Sequence, residues 1–470
     1  MVMQMNENLK IIKQKLSKCF DVKYRTLETD LGKCTVVFID DLVGSSLVSE
    51  YVVAPLIEQS YADKDLNYVI ESVLDINISD FAKDIDDAIE HILSGDSILI
   101  FESYERLIVC EVKGYVKRGV SVPETEAVVK GPREGFTESI VDNVSLIRRK
   151  IRNTALKFEA YSVGSMSKTK IAITYIEGVA PKYLVNEVKQ KILKEDIKFI
   201  LDTNYIDDVL RGKKSTFDTV GYTEKPDEIA SKLMEGRVGV IVDGTPFCIT
   251  VPYFFLENFQ APDDYYINKY FANFTRVLRW IAFFIAAFLP GFYIALLTYH
   301  YALLPTVFLF RLAIARAGVP LPTIVEALLM IFSFQIIKEA GLRLPAPIGG
   351  AMSIVSALIL GDAVVNAGIA SRITIIIIAI SSLSYFLVPK IYGALSITSI
   401  LITIISALFG LPGFFIGTMI LLIRLAELRT GGYSYLFPIG SVGTYKFKDV
   451  IIRGDLRRIS KKIIEEKRGI

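Results

Sequence analysis

Residues able to do chemistry are sparse in this chain, and their spacing does not assemble a catalytic set. Cys19, Cys34, Cys110 and Cys248 lie far apart with no Cys-x-x-Cys pair, and the two histidines are His91 and His300. That spacing argues against a metal site or a disulfide framework and for reduced thiols in the core of a soluble domain. There is no Gly-x-x-x-x-Gly-Lys-Ser/Thr loop, no nucleophile elbow and no His-Glu-x-x-His. Gly164 to Lys170 has the composition of a phosphate loop but lacks the second glycine in position, so it reads as a solvated hairpin. No enzyme and no cofactor is expected. Arg148-Arg149-Lys150 with Arg152 leaves two readings open: a grip on acidic lipid or on the acidic face of another domain, or an ordinary charged helix face.

Charges in apolar surroundings are the more constrained groups. From Trp280 to Ile423, 144 residues carry nine charges, against 95 in the other 326. A surface that poor in charge does not stay soluble, so this stretch belongs in lipid, where each ionisable group needs a partner or a cavity. Glu326 is expected to pair with Arg311 or Arg316, since an unpartnered buried charge is costly. Asp362 and Asn366 lie four apart on one helix face, downstream of Ser353 and Ser356. Two readings stay open for these four: they line an aqueous path, or they belong to helix packing and a polar cluster at a helix end. The same helix carries small residues, among them Gly350, Ala357 and Gly361, at steps of three and four, a face that lets another helix or a second copy approach closely.

The elements that hold these residues follow from the uncharged runs. A helix needs about 20 apolar residues to cross the hydrocarbon. Spans are expected near 277–299, 348–368, 372–389 and 397–423, within a membrane domain of 277–424. Between 303 and 340, Arg311, Arg316 and Val319-Pro320-Leu321-Pro322 interrupt the pattern and predict a broken hairpin. Counting it as no crossing or as two gives four or six spans, and either returns the C-terminus to the side of the N-terminus. The tail, 425–470, is basic and follows the last span, which places that side in the cytoplasm. Met1 to Phe20 is charged and polar, unlike a signal peptide. With +2 overall, +3 in the membrane stretch and +6 from Arg424 onward, the first 279 residues carry −7, which gives no hint of nucleic-acid binding.

Ahead of the membrane stretch, strand and helix signals come twice in the same order. A polar segment (1–24) precedes an α/β subdomain at 25–118; a linker (119–146) leads to a second at 147–258, and a juxtamembrane segment (259–276) follows. Leu47-Val48-Ser49-Glu50 matches Leu184-Val185-Asn186-Glu187, and Asp86 to Gly95 matches Asp227 to Gly236, at offsets of 137 and 141. A strand is also expected at 197–201. The fold class is thus tandem α/β cytosolic subdomains arising by internal duplication, followed by an all-α transmembrane bundle.

Gly131-Pro132-Arg133-Glu134-Gly135-Phe136-Thr137-Glu138, then Asn143 and Leu146-Ile147-Arg148-Arg149, resembles the signature of the spore germinant-receptor A-subunit (GerA) family. So do Glu235-Gly236-Arg237, Val242-Asp243-Gly244-Thr245-Pro246, Pro262-Asp263-Asp264-Tyr265-Tyr266 and Val325-Glu326-Ala327-Leu328-Leu329-Met330. The likeness covers roughly 30–430. It departs at the tail, which lacks tryptophan, and at Asp362, where the family often has an amide. The resemblance implies a subunit of a nutrient receptor in the inner membrane of a bacterial endospore. It also implies a transporter-like B subunit and a lipoprotein C subunit as partners, and a homo-oligomer, a pentamer in the family, forming a cation channel that starts germination. A nutrient transporter, a passive scaffold and the A-type paralogue of the dipicolinate-release apparatus remain alternatives.

Overall fold

A computed structural model of the chain describes residues 7–40, 42–62, 64–114, 126, 128–211, 215–343, 361–439, 449 and 451–459. Its first half holds two five-stranded antiparallel sheets. The first comprises β1 (Val22–Thr29), β2 (Gly32–Ile39), β3 (Ser79–Phe81), β4 (Ser97–Phe101) and β5 (Leu107–Cys110), in the spatial order β1-β2-β4-β5-β3. The second comprises β6 (Leu156–Val163), β7 (Thr169–Ile176), β8 (Gly221–Thr223), β9 (Val238–Val242) and β10 (Cys248–Val251), in the order β6-β7-β9-β10-β8. The two orders are the same once each strand is shifted by five.

Helices cover both faces of each sheet, which is why β4, β5, β9 and β10 are buried along their whole length and apolar without strict alternation. On the first sheet, Val48, Val52, Leu56 and Val69 pack on one face, and the helices Glu7–Lys15 and Ile85–Ser94 on the other. On the second, Lys182–Lys194 and Thr203–Arg211 cover one face, while Ile140–Lys150 and Pro226–Met234 cover the other. The duplication extends to backbone detail. Gly95 and Gly236 both end a helix at positive φ, 96° and 94°. A Cβ at either would lie 2.9 Å from a carbonyl oxygen, that of Leu42 or of Val179. Only glycine fits such a turn without strain.

Three elements differ from the sequence reading. Residues 197–201 form no strand. Their carbonyls instead take hydrogen bonds from the tip of the β6–β7 hairpin (Ser165 N to Ile197 O, 3.2 Å; Met166 N to Lys198 O, 2.7 Å), and β8 takes the sheet edge. The N-terminal segment adds a helix whose Leu9 and Ile12 enter the first core. The third difference is in the last span.

The second half is helical: Lys269–Tyr299, Thr306–Arg316, Thr323–Arg343, a helical turn at 361–366, Arg372–Ser384 and Tyr392–Glu427. Lys269–Tyr299 and Pro389–Glu427 are long and apolar enough to cross a membrane. The stretch 397–423, expected as one span, doubles back at Gly410, whose φ and ψ are 66° and −143°. In a straight helix Ile402 and Gly417 would stand about 22 Å apart. Here a Cβ at Gly417 lies 3.4 Å from Ile402 Cα, and one at Gly413 would collide with the carbonyl of Ile405. The two arms run antiparallel, with Leu395 and Leu421 in one core cluster beside Phe283. Alternating Gly, Ser and Thr let the arms and the first helix approach closely: Ser399, Thr403, Ser406, Gly413 and Gly417 are all buried.

Residues 428–439, with Asp449 and Arg453, then meet the front half and the segment that joins it to the helices. Thr430 Oγ1 accepts from Tyr253 N (2.9 Å), and Tyr435 O from Phe255 N (2.9 Å). Both ends of the helical half therefore meet the front half.

Candidate functional site

The site is a buried polar node within the helical bundle. The turn between Thr306–Arg316 and Thr323–Arg343 brings Arg316 against Glu326, with Nη2 3.2 Å from Oε1. The other carboxylate oxygen accepts from Ser371 N (3.1 Å) and Thr374 Oγ1 (3.0 Å), the N-cap and third residue of the next helix. Thr374 Oγ1 also meets Ser371 Oγ at 2.9 Å and Tyr293 OH at 3.0 Å, which reaches the first membrane helix. Glu326 is fully buried, and its carboxylate sits at a helix N-terminus, where the backbone dipole favours negative charge. One acid therefore ties four helical segments together. Arg311 is exposed and is not among its partners. Tyr293, Ser371 and Thr374 escaped the sequence reading because they are uncharged; the signal was Ser371-x-x-Thr374 before an apolar run, an N-cap pattern.

Of the polar positions proposed from sequence, Asp362 and Asn366 lie exposed on the helical turn 361–366, and Gly361 beside them faces open space. Ser353, Ser356, Gly350 and Ala357 fall outside the described residues.

A second set of groups joins the halves. Asp264 is clamped by Arg276 Nε (2.8 Å) and by both terminal nitrogens of Arg279 (2.8 and 3.0 Å), while Arg276 Nη1 reaches Asp449 of the tail at 2.5 Å. Arg276, Asp264 and Asp449 are all buried. Lys390, at the foot of the last hairpin, stands 3.5 Å from Glu126 and 3.7 Å from Glu228. Burial and then the like charge of Glu228 push the Glu126 carboxyl upward, with Lys390 opposing. Glu257 is held by Arg237 Nη1 (2.5 Å), Lys232 and Phe254 N (2.9 Å). Burial pushes its carboxyl up, but Arg237 and Lys232 win and lower it to about 2. Between the sheets, Arg148 forks onto Asp21 (Nε to Oδ2 2.6 Å, Nη2 to Oδ1 3.1 Å), both fully buried. Arg149 and Lys150 meet Glu134. Of the two readings of the basic cluster, an acidic face within the same chain is the one these contacts occupy.

Other motifs that carry the resemblance make contacts within the second sheet's domain. Asn143 closes a loop on Thr137 (N to Oδ1 2.8 Å; Nδ2 to O 2.6 Å), and Asp243 Oδ1 accepts from Ile140 N at 3.1 Å. Burial raises the Cys34 thiol to about 12 and those of Cys110 and Cys248 higher, so these sulfurs are not nucleophiles. Among the described residues no group of three or more His, Cys, Asp or Glu is placed to hold a metal.

Comparison with known proteins agrees along the chain. Residues 10–463 match the family described as Bacillus/Clostridium GerA spore germination protein. Spore germination protein KA of Bacillus subtilis (strain 168) is 34% identical over 455 residues, 95% of this chain and 84% of that one. Spore germination protein GerLA of Bacillus cereus is 32% identical over 456 residues, covering 95% and 92%. A crystal structure of the N-terminal domain of the A subunit of the Bacillus megaterium spore germinant receptor GerK3 is 27% identical. It covers 53% of this chain and 95% of its own, with a TM-score of 0.43. The chain belongs to the GerA family of spore germination proteins.

Proposed function

We propose that this protein is the A subunit of a spore germinant receptor, an oligomeric protein of the spore's inner membrane that helps convert nutrient binding into ion release. The match to spore germination proteins from residue 10 to 463 carries this reading. It acts with a transporter-like B subunit and a lipoprotein C subunit, and both of its termini lie in the cytoplasm. The paired sheets hold the ring together, and the face bearing Asp362 and Asn366 lines the path with Ser353 and Ser356. Gating is a change between two packings, biased by the nutrient's different affinity for each. Ion pairs at the foot of the bundle (Arg276–Asp264–Asp449 and Lys390–Glu126) couple the sheets to the helices.

The test is ionic current across bilayers holding the purified receptor with its B and C subunits, with a defined mixture of amino acids and sugars as the probe. Nutrient-dependent cation current, altered in Asp362→Asn, is expected. Uptake of labelled nutrient without current would show a transporter, and neither would show a scaffold.

A further inference from the structure

Beside the Glu326 node lies a cavity of about 470 Å³ between Thr306–Arg316 and the turn that precedes Arg372–Ser384. Its polar lining is Arg311, Arg372 and Ser371; Ile314, Val319 and Val365 supply apolar wall. Among the described residues no carboxylate or hydrogen-bond acceptor meets Arg311 or Arg372. The acid nearby is already used, because Glu326 is taken by Arg316, Ser371 and Thr374. Arg372 also stands at the first position of its helix, where the backbone's partial positive charge disfavours a cation. Among the described residues two unpaired guanidinium groups thus converge on one cavity, at the edge of a bundle whose surface is apolar. Guanidinium groups bind phosphate through paired, charge-assisted hydrogen bonds.

The wall chemistry narrows the ligand. Val307, Phe308, Phe310 and Ile314 of the same helix are exposed, so an apolar surface runs outward from the arginines. A free inorganic anion has no use for that surface, whereas an amphiphile covers it with its chain while its head reaches the arginines. We propose that this cavity binds the phosphate of an anionic phospholipid, with Arg311 and Arg372 as the recognising residues. The proposal rests on the reading that the apolar helices lie in a membrane.

The experiment uses the full chain, stripped of lipid in detergent and returned to vesicles of phosphatidylglycerol or of phosphatidylcholine. Lipid retained per chain after washing is counted by mass spectrometry. The wild type is expected to retain phosphatidylglycerol over phosphatidylcholine, and Arg311→Gln/Arg372→Gln to bind it about tenfold more weakly, as for lost charge-assisted hydrogen bonds. Arg311→Lys/Arg372→Lys keeps most of the preference. Equal retention of the two lipids by the wild type, or unchanged retention in the glutamine variant, overturns the site. Displacement of the lipid by millimolar inorganic phosphate would assign the cavity to free phosphate and overturn the lipid. Should the glutamine variant not fold, the wild-type comparison and the phosphate competition decide. Insertion into phosphatidylcholine vesicles, scored separately, reports whether the membrane reading itself holds.

Discussion

Glu326 and Arg316 show how burial decides which half of an ion pair matters more. Glu326 is fully buried, whereas the Arg316 side chain keeps 28% of its exposure and can turn its head outward. Arg316→Gln should therefore cost about 3–5 kcal/mol, the penalty of an uncompensated buried charge. Glu326→Gln should cost less, because its amide oxygen still accepts from Ser371 N. Thermal unfolding of the full chain in detergent, followed by circular dichroism, gives the order; equal losses would contradict it. Glu257 makes a pH prediction. Its folded carboxyl lies at about 2 against an ordinary 4.5, so its contribution is whole above pH 4.5 and is lost as pH falls through 2. That contribution is on the order of 3 kcal/mol. Unfolding measured between pH 6 and pH 2 should show the loss, and Glu257→Gln should flatten it. At this scale the sequence exposed charges in apolar runs but not their partners. Arg311 and Arg316 are equally plausible by spacing, and only the turn at 317–322 brings the second to the acid.

Among the elements, Gly410 is the decisive break. A Cβ there would lie 2.8 Å from the His300 ring, and the backbone is in a region that side chains avoid. Gly410→Ala should destabilise the bundle by about 1–3 kcal/mol. The hairpin has a sharper test. A Cβ at Gly417 is 3.6 Å from that of Ile402, within the range a disulfide requires. Ile402→Cys/Gly417→Cys should crosslink on oxidation, read as a protease-resistant link between the arms. Failure to crosslink under conditions that oxidise a control pair would restore a single straight helix. Hydropathy could not reveal this reversal, because the arms, of 18 and 17 residues, join inside the uncharged run 391–423, where Gly410-Leu411-Pro412-Gly413 is the turn signal. The duplicated sheets were more legible. Their offsets near 140 and paired helix-ending glycines are written in the sequence, while the short edge strands β3 and β8, with three residues each, leave too little alternation to read.

Taken whole, the molecule is held by buried ion pairs at each of its joints: Asp21–Arg148 between the sheets, and Asp264–Arg276–Asp449 between sheets, helices and tail. Asp21→Asn should cost about 3–5 kcal/mol by stranding Arg148. Urea unfolding of the full chain would show it as a lower midpoint for the sheets. A long-range pair of this kind spans 127 residues and has no sequence signature beyond two ordinary charges. In spores lacking this chain and every other receptor of its family, restoring this chain with the B and C subunits proposed for it should restore cation release and loss of optical density for at least one nutrient. Omitting this chain alone from the set should abolish both. Spores that germinate equally well with the B and C subunits alone would contradict the account.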